Sequence, residues 1–171
     1  MTLDNSIMPS MTQGSSTSNA GLKGDLKQRR QQAMAALVEA SAPEMARLLG
    51  QVGPVPDHHQ LRQAESGLIM MRGRIGGDGA PFNVGEVTVS RAAVQLATGE
   101  IGFGYVLGRD KEKAQLIAYC DALMQRSEWQ EPLERVVLAP IRKRLRAARA
   151  AKAEQAAATK VEFFTLVRGE D

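Results

Sequence analysis

Residues 84–107 read VGEVTVSRAAVQLATGEIGFGYVL, and the period of this stretch decides the fold. Ile101, Phe103, Tyr105 and Leu107 alternate with Gly102, Gly104 and Val106, the period of two that belongs to a β-strand. Thr98-Gly99 supplies the turn before it, and Val84–Leu96 reads as the preceding strand. Its apolar parity changes between Val87-Val89 and Ala92-Val94-Leu96, which predicts a bulge near Ser90-Arg91. Upstream, Gly76-Gly77-Asp78-Gly79 with Pro81 makes a turn. Before that turn lies a strand over Gly67–Ile75. It puts Ile69, Met71 and Ile75 on one face and Leu68, Met70, Arg72 and Arg74 on the other, and Gln60–Glu65 is a weaker strand segment. Strands joined by such short connections form an antiparallel meander.

On both sides of the meander the period becomes helical. After Gly108, Asp110 is an N-cap, and Leu116, Ile117, Cys120, Leu123 and Met124 make a stripe expected to lie on the sheet. On the N-terminal side, Asp25 caps a helix to about Ala40 marked by Leu26, Arg30, Ala33, Leu37 and Val38. Pro43 opens a short helix to Leu49, and Gly50–Asp57 is a loop. Ser127–Leu138 reads as a partly helical connector, and Ile141–Lys160 as a long helix rich in Arg, Lys and Ala. Residues 1–24 are rich in Ser, Thr, Asn and Gly and are expected to be a disordered tail ahead of a single domain over 25–171. The predicted class is α+β: a small antiparallel sheet with helices packed against it, N-terminal helices and a long C-terminal helix.

Composition narrows the function classes. The chain has 171 residues, 43% hydrophobic and 24% charged, so a packed core is within reach. A net charge of +3 is too modest to name a partner. The one cysteine, Cys120, excludes an intrachain disulfide. The N-terminal residues lack the basic start and apolar run of a signal peptide, and no apolar run is long enough to span a bilayer. These features lead to the expectation of a cytoplasmic protein without membrane contact.

Two segments are candidate anion or partner sites. Arg72-Gly73-Arg74-Ile75-Gly76-Gly77-Asp78-Gly79 combines cations with glycines that let a backbone approach an anion. It lacks a Walker ending and leads to a strand rather than a helix, so a wide hairpin turn is the weightier reading of the residues alone. Arg109 and Lys111 flank Asp110 at a helix start, where anions are attracted, but the Asp110 carboxylate competes for the same amides. Metal binding is not expected: His58 and His59 are adjacent and point apart, and no second ligand pair has zinc spacing. No Gly-x-Ser-x-Gly elbow is present. Arg142, Lys143, Arg144, Arg146, Arg149 and Lys152 are the densest charge in the chain. Few aromatics accompany them, so nucleic-acid binding is a minority alternative to a solvated or partner-facing helix. The apolar terminal run with Phe163, Phe164, Leu166 and Val167 is a candidate interface.

Three stretches together resemble the PhnG family of phosphonate-metabolism proteins. They are Arg62-Gln63-Ala64-Glu65-Ser66-Gly67-Leu68 continuing to Arg74–Gly79; Ser90–Leu96 followed by Gly102, Gly108–Lys111 and Asp121–Met124; and Val161–Gly169. The resemblance implies a subunit of the carbon–phosphorus lyase core complex with H, I and J subunits as partners. With the L protein, G, H and I are associated with moving the ribose triphosphate of ATP onto an alkylphosphonate, releasing adenine. A pyrophosphatase step follows, and the J subunit, a radical enzyme with an iron–sulfur cluster, then breaks the C–P bond. The resemblance makes Mg-ATP a substrate of the complex, not a cofactor of this chain, and carries over no catalytic residue. It implies a structural or site-completing subunit, inactive alone. A homodimer of the isolated chain stays open.

Overall fold

Period-two residues between glycine turns fold as an antiparallel meander, and the period-3.6 segments cover one side of it. The structure is a computed structural model and describes residues 16–159, with side chains from Leu26 onward. The elements are α1 (Ser16–Leu37), α2 (Ala42–Leu49), β1 (His58–Arg74), β2 (Pro81–Leu96), β3 (Ile101–Leu107), α3 (Lys111–Met124), α4 (Ser127–Leu133), a π-helical turn (Glu134–Leu138) and α5 (Ala139–Ala158). The sheet order is β1-β2-β3, so the α+β reading and the meander stand.

β1 is one continuous strand of 17 residues rather than a weak and a strong piece. β2 has no bulge at Ser90-Arg91. There it pairs on both sides, with Ser66 and Glu65 of β1 and with Val106 and Tyr105 of β3. The irregularities fall between Gln60 and Arg62, between Arg62 and Glu65, and between Met71 and Arg72 of β1. The parity change in β2 has another cause. Ala92, Val94 and Leu96 occupy the helix-covered face together with Ser90, a polar residue. Its hydroxyl donates to the Gly108 carbonyl at 2.9 Å and lies 3.0 Å from the Ser66 hydroxyl, which makes its burial tolerable.

α3 lies against β3 so closely that only glycine fits beneath it. A Cβ at Gly102 would lie 2.0 Å from the Ala118 carbonyl oxygen, and one at Gly104 would lie 1.8 Å from that of Ala114. The sheet-facing line of α3 is therefore Ala114, Ala118 and Ala122, three small residues at four-residue spacing. The larger Ile117, Cys120, Leu123 and Met124 of the expected stripe are buried in the cluster shared with Leu37, Met45, Leu133, Val137 and Ile141. α3 is thus the middle layer, with the sheet on one side and the remaining helices on the other.

Local chemistry sets the element ends. The Asp110 side chain accepts from the Lys113 amide at 2.9 Å and caps α3, and Ser41 caps α2 through the Glu44 amide. Pro140 removes an amide donor from the run that follows α4, and the backbone widens to a π turn in which the Ala139 amide reaches the Glu134 carbonyl. α1 begins at Ser16, so Asp25 is interior to the helix rather than its cap, and helix occupies part of the stretch expected to be a disordered tail. Extending a helix that is already nucleated costs far less than starting one, which lets weak formers such as Ser18 and Asn19 join it.

Candidate functional site

β3 has two faces of opposite size. Because its glycines meet α3, its large residues point the other way and stay largely open, with α1 reaching only Phe103, which shares a hollow with Lys27, Arg30, Gln31 and Met34. Phe103 is 61% exposed, Leu107 76%, and Ile101 and Tyr105 are also exposed. Arg91 and Glu65 stand opposite Tyr105 across the sheet. Arg91 donates to Glu65 at 2.9 Å and Arg62 donates to the same carboxylate oxygen at 2.7 Å. Those two hydrogen bonds, the one from Arg62 foremost, hold the Glu65 carboxyl below its usual range. The result is an apolar strip edged by a charged row, the anatomy of an interface with a polar rim.

The strip continues onto an arm. β3 pairs with β2 only between Val89 and Gln95, so beyond Val89 the β1–β2 hairpin extends as a two-stranded ribbon. Met71, Phe82 and Val84 are exposed on the side of it that continues the β3 face, Leu68 and Met70 are exposed on the opposite side, and Ile75 is exposed at its tip. A two-stranded ribbon is at best marginally stable by itself in water, and an exposed apolar surface this extended marks a docking site. The two sheet edges also differ. On the β3 side, the buried Asp121 carboxylate accepts from the Phe103 amide at 3.0 Å, and Gln125 donates to the Ile101 carbonyl at 2.6 Å. Asp121 is itself clamped by Arg30 through two 2.8 Å bonds. β1 forms the other edge of the three-stranded sheet along its whole length.

The sequence candidates fall in two places. Arg72, Arg74, Gly76, Gly77 and Gly79 form the tip of the arm. Gly76 and Gly77 have φ of 67° and 86°, and a Cβ at Gly79 would lie 2.6 Å from the Ile75 carbonyl oxygen, so all three serve the turn. The Arg74 guanidinium donates to the Gly79 carbonyl at 3.1 Å and closes it. Arg109 and Lys111 lie at the β3–α3 junction, where the Gly108 amide bonds the Thr88 carbonyl. Arg74 is six residues along β1 from Leu68, the partner of Thr88, which places the two pairs about 20 Å apart along the arm. The structure does not bring them together. Phe163, Phe164, Leu166 and Val167 lie outside the described residues.

The exposed face of β3 was the feature missed in the sequence. Alternation alone does not say which parity faces inward. The available signal was small-on-small matching: Gly102 and Gly104 against Ala114, Ala118 and Ala122. Among the described residues no helix is long and apolar enough to cross a membrane.

Comparison with known proteins shows similarity over most of the chain. The family model described as phosphonate metabolism protein PhnG matches residues 28–169. The α-D-ribose 1-methylphosphonate 5-triphosphate synthase subunit PhnG of Rhizobium meliloti (strain 1021) is 45% identical over 143 residues, which cover 84% of this chain and 91% of that protein.

Proposed function

The chain belongs to the PhnG family of phosphonate metabolism proteins, and from that premise we propose that it is a cytoplasmic subunit of the α-D-ribose 1-methylphosphonate 5-triphosphate synthase. In this reading the complex moves the ribose triphosphate of Mg-ATP onto an alkylphosphonate and releases adenine, with the H and I subunits and the L protein acting beside this chain. This subunit binds a partner and completes its site; it does not turn over substrate alone.

The observation that carries the proposal is the uncovered apolar surface that runs along one side of β3 and the arm, Ile101, Phe103, Tyr105 and Leu107 with Met71, Phe82 and Val84. Apolar surface of this extent is removed from water by docking, at roughly 25 cal/mol for each Å² buried. A partner subunit of the complex is the occupant. The arm-tip cations Arg72 and Arg74 and the junction cations Arg109 and Lys111 are two separate rim positions, each placed to meet a phosphate group or an acid on the partner. Phe163, Phe164, Leu166 and Val167 extend the interface in the same reading.

Co-expression of the tagged chain with the H, I and J subunits tests it. The wild-type chain is expected to bring down stoichiometric partners, and the Phe103→Ser/Leu107→Ser variant to lose them while remaining folded. A folded wild-type chain that recovers no partner, or a variant that assembles normally, contradicts the proposal.

A further inference from the structure

Helix α5 carries Arg142, Lys143, Arg144, Arg146, Arg149 and Lys152 against a single acid, Glu154. On one flank the charge is neutralised within the chain: Arg144 meets Glu44 through two 3.0 Å bonds and donates to the Glu39 carbonyl at 3.3 Å. The other flank differs. Arg142, Arg146 and Arg149 follow the i, i+4, i+7 spacing and share one side of the helix. Arg142 is held by Glu134, but Arg146 and Arg149 have no ion-pair partner among the described residues.

This row borders a groove of about 170 Å³ between α1 and α5, lined also by Gln32, Ala35 and Ala36. The two alanines leave the space that larger side chains would fill. An adjoining hollow of about 450 Å³ shares Gln32 and Arg142 and adds Arg29, but it also carries the Glu131 and Glu134 carboxylates, so the anion belongs to the groove between α1 and α5. Like charges one turn apart repel, so the row is destabilising for the free helix and is relieved by an anion in the groove. Its cations are all arginines, whose planar forks match pairs of phosphate oxygens. Arg142 to Arg149 spans about 10 Å along the axis, room for a chain of linked phosphoryl groups rather than one. No aromatic side chain lines the groove, so it offers nothing for a base to stack on.

We propose that the groove between α1 and α5 is a binding site for an oligophosphate anion, held by the Arg146 and Arg149 guanidinium groups with Gln32 as a neutral donor. The site is separate from the sheet interface and does not rest on it.

Titration calorimetry of the full chain with inorganic tripolyphosphate tests the proposal. Saturable binding that weakens with added salt is expected. Arg146→Glu/Arg149→Glu should lower the affinity by about tenfold or more, and Arg146→Lys/Arg149→Lys, which keeps charge and loses the fork, by less. Arg47→Glu, an exposed change on α2 away from the groove, should leave it unchanged. Both groove residues are exposed, and Trp129 fluorescence verifies that each variant is folded. Absence of saturable binding at low salt, or equal binding by the Glu variant, overturns the site. Binding of a polyglutamate peptide through the same arginines without tripolyphosphate binding also overturns it and assigns the groove to an acidic protein segment.

Discussion

Replacing Gly104 by Ala adds one methyl group at the tightest contact in the fold. Its Cβ would lie 1.8 Å from the Ala114 carbonyl oxygen, 2.8 Å from the Ala114 carbonyl carbon and 2.9 Å from the Ala118 amide nitrogen. An acceptable carbon–oxygen approach is about 3.3 Å, so α3 has to retreat by about 1.5 Å. All three atoms are helix backbone, so no rotamer change relieves the clash. The shift opens the packing of Ala92, Val94 and Val106 against α3, all buried. Overpacking of a well-filled core costs about 1–3 kcal/mol, and a rigid backbone neighbour puts this variant at about 3 kcal/mol or above. Gly67 supplies the control, because a Cβ there meets nothing within 4 Å. Gly67→Ala is expected to be neutral or stabilising by up to about 1 kcal/mol, since it restricts the unfolded chain. Urea unfolding followed by far-ultraviolet circular dichroism and Trp129 fluorescence reads both. With a slope of about 1–3 kcal/mol per molar urea, the Gly104→Ala midpoint should fall by about 1 M or more. A Gly104→Ala protein within about 0.5 kcal/mol of wild type would refute the close packing of α3 on β3, and with it the reason β3 turns its large residues outward.

Further outcomes follow from the same structure. Asp121→Ala should destabilise by about 2–3 kcal/mol in urea unfolding, because it strands the Phe103 amide and leaves the half-buried Arg30 guanidinium without its partner. Cys120 should resist alkylation in the native protein and react on unfolding, since burial pushes its thiol up to about 12. The unfolded thiol ionises near its ordinary value of 9.0 while the folded one stays protonated. Stability contributed by Cys120 is therefore fully present below that value and lost as pH rises from about 9 toward 12, a loss that Cys120→Ala should reduce in alkaline unfolding curves. Phe103→Ser/Leu107→Ser should leave the isolated chain's stability within about 0.5 kcal/mol of wild type, because both residues are exposed in it.

The strands, their order and most helix positions are legible in the sequence, because glycine turns at Gly76–Gly79 and Thr98-Gly99 punctuate clean period-two runs. Three features are not. The start of α1 depends on propagation of a helix into residues with weak propensity of their own. The irregularities lie between Gln60 and Arg62, between Arg62 and Glu65 and at the Met71–Arg72 step, and these three register shifts leave no mark on hydrophobic parity. The orientation of β3 is a tertiary choice: the strand pattern is symmetric until Ala114, Ala118 and Ala122 are set against Gly102 and Gly104. The candidate site was legible as residues but not as a surface. Arg74 and Arg109 each sit beside glycine in the chain, yet sequence spacing does not reveal the length of the arm that separates them.

In the proposed assembly a partner subunit covers the β1–β2 arm and the outer face of β3. Amide hydrogen exchange of the chain, free and in the co-purified complex, tests it most directly. Residues 67–88 are expected to exchange rapidly in the free chain and to become strongly protected on assembly, while α3 is protected in both. Unchanged exchange over 67–88 in a stoichiometric complex would contradict it.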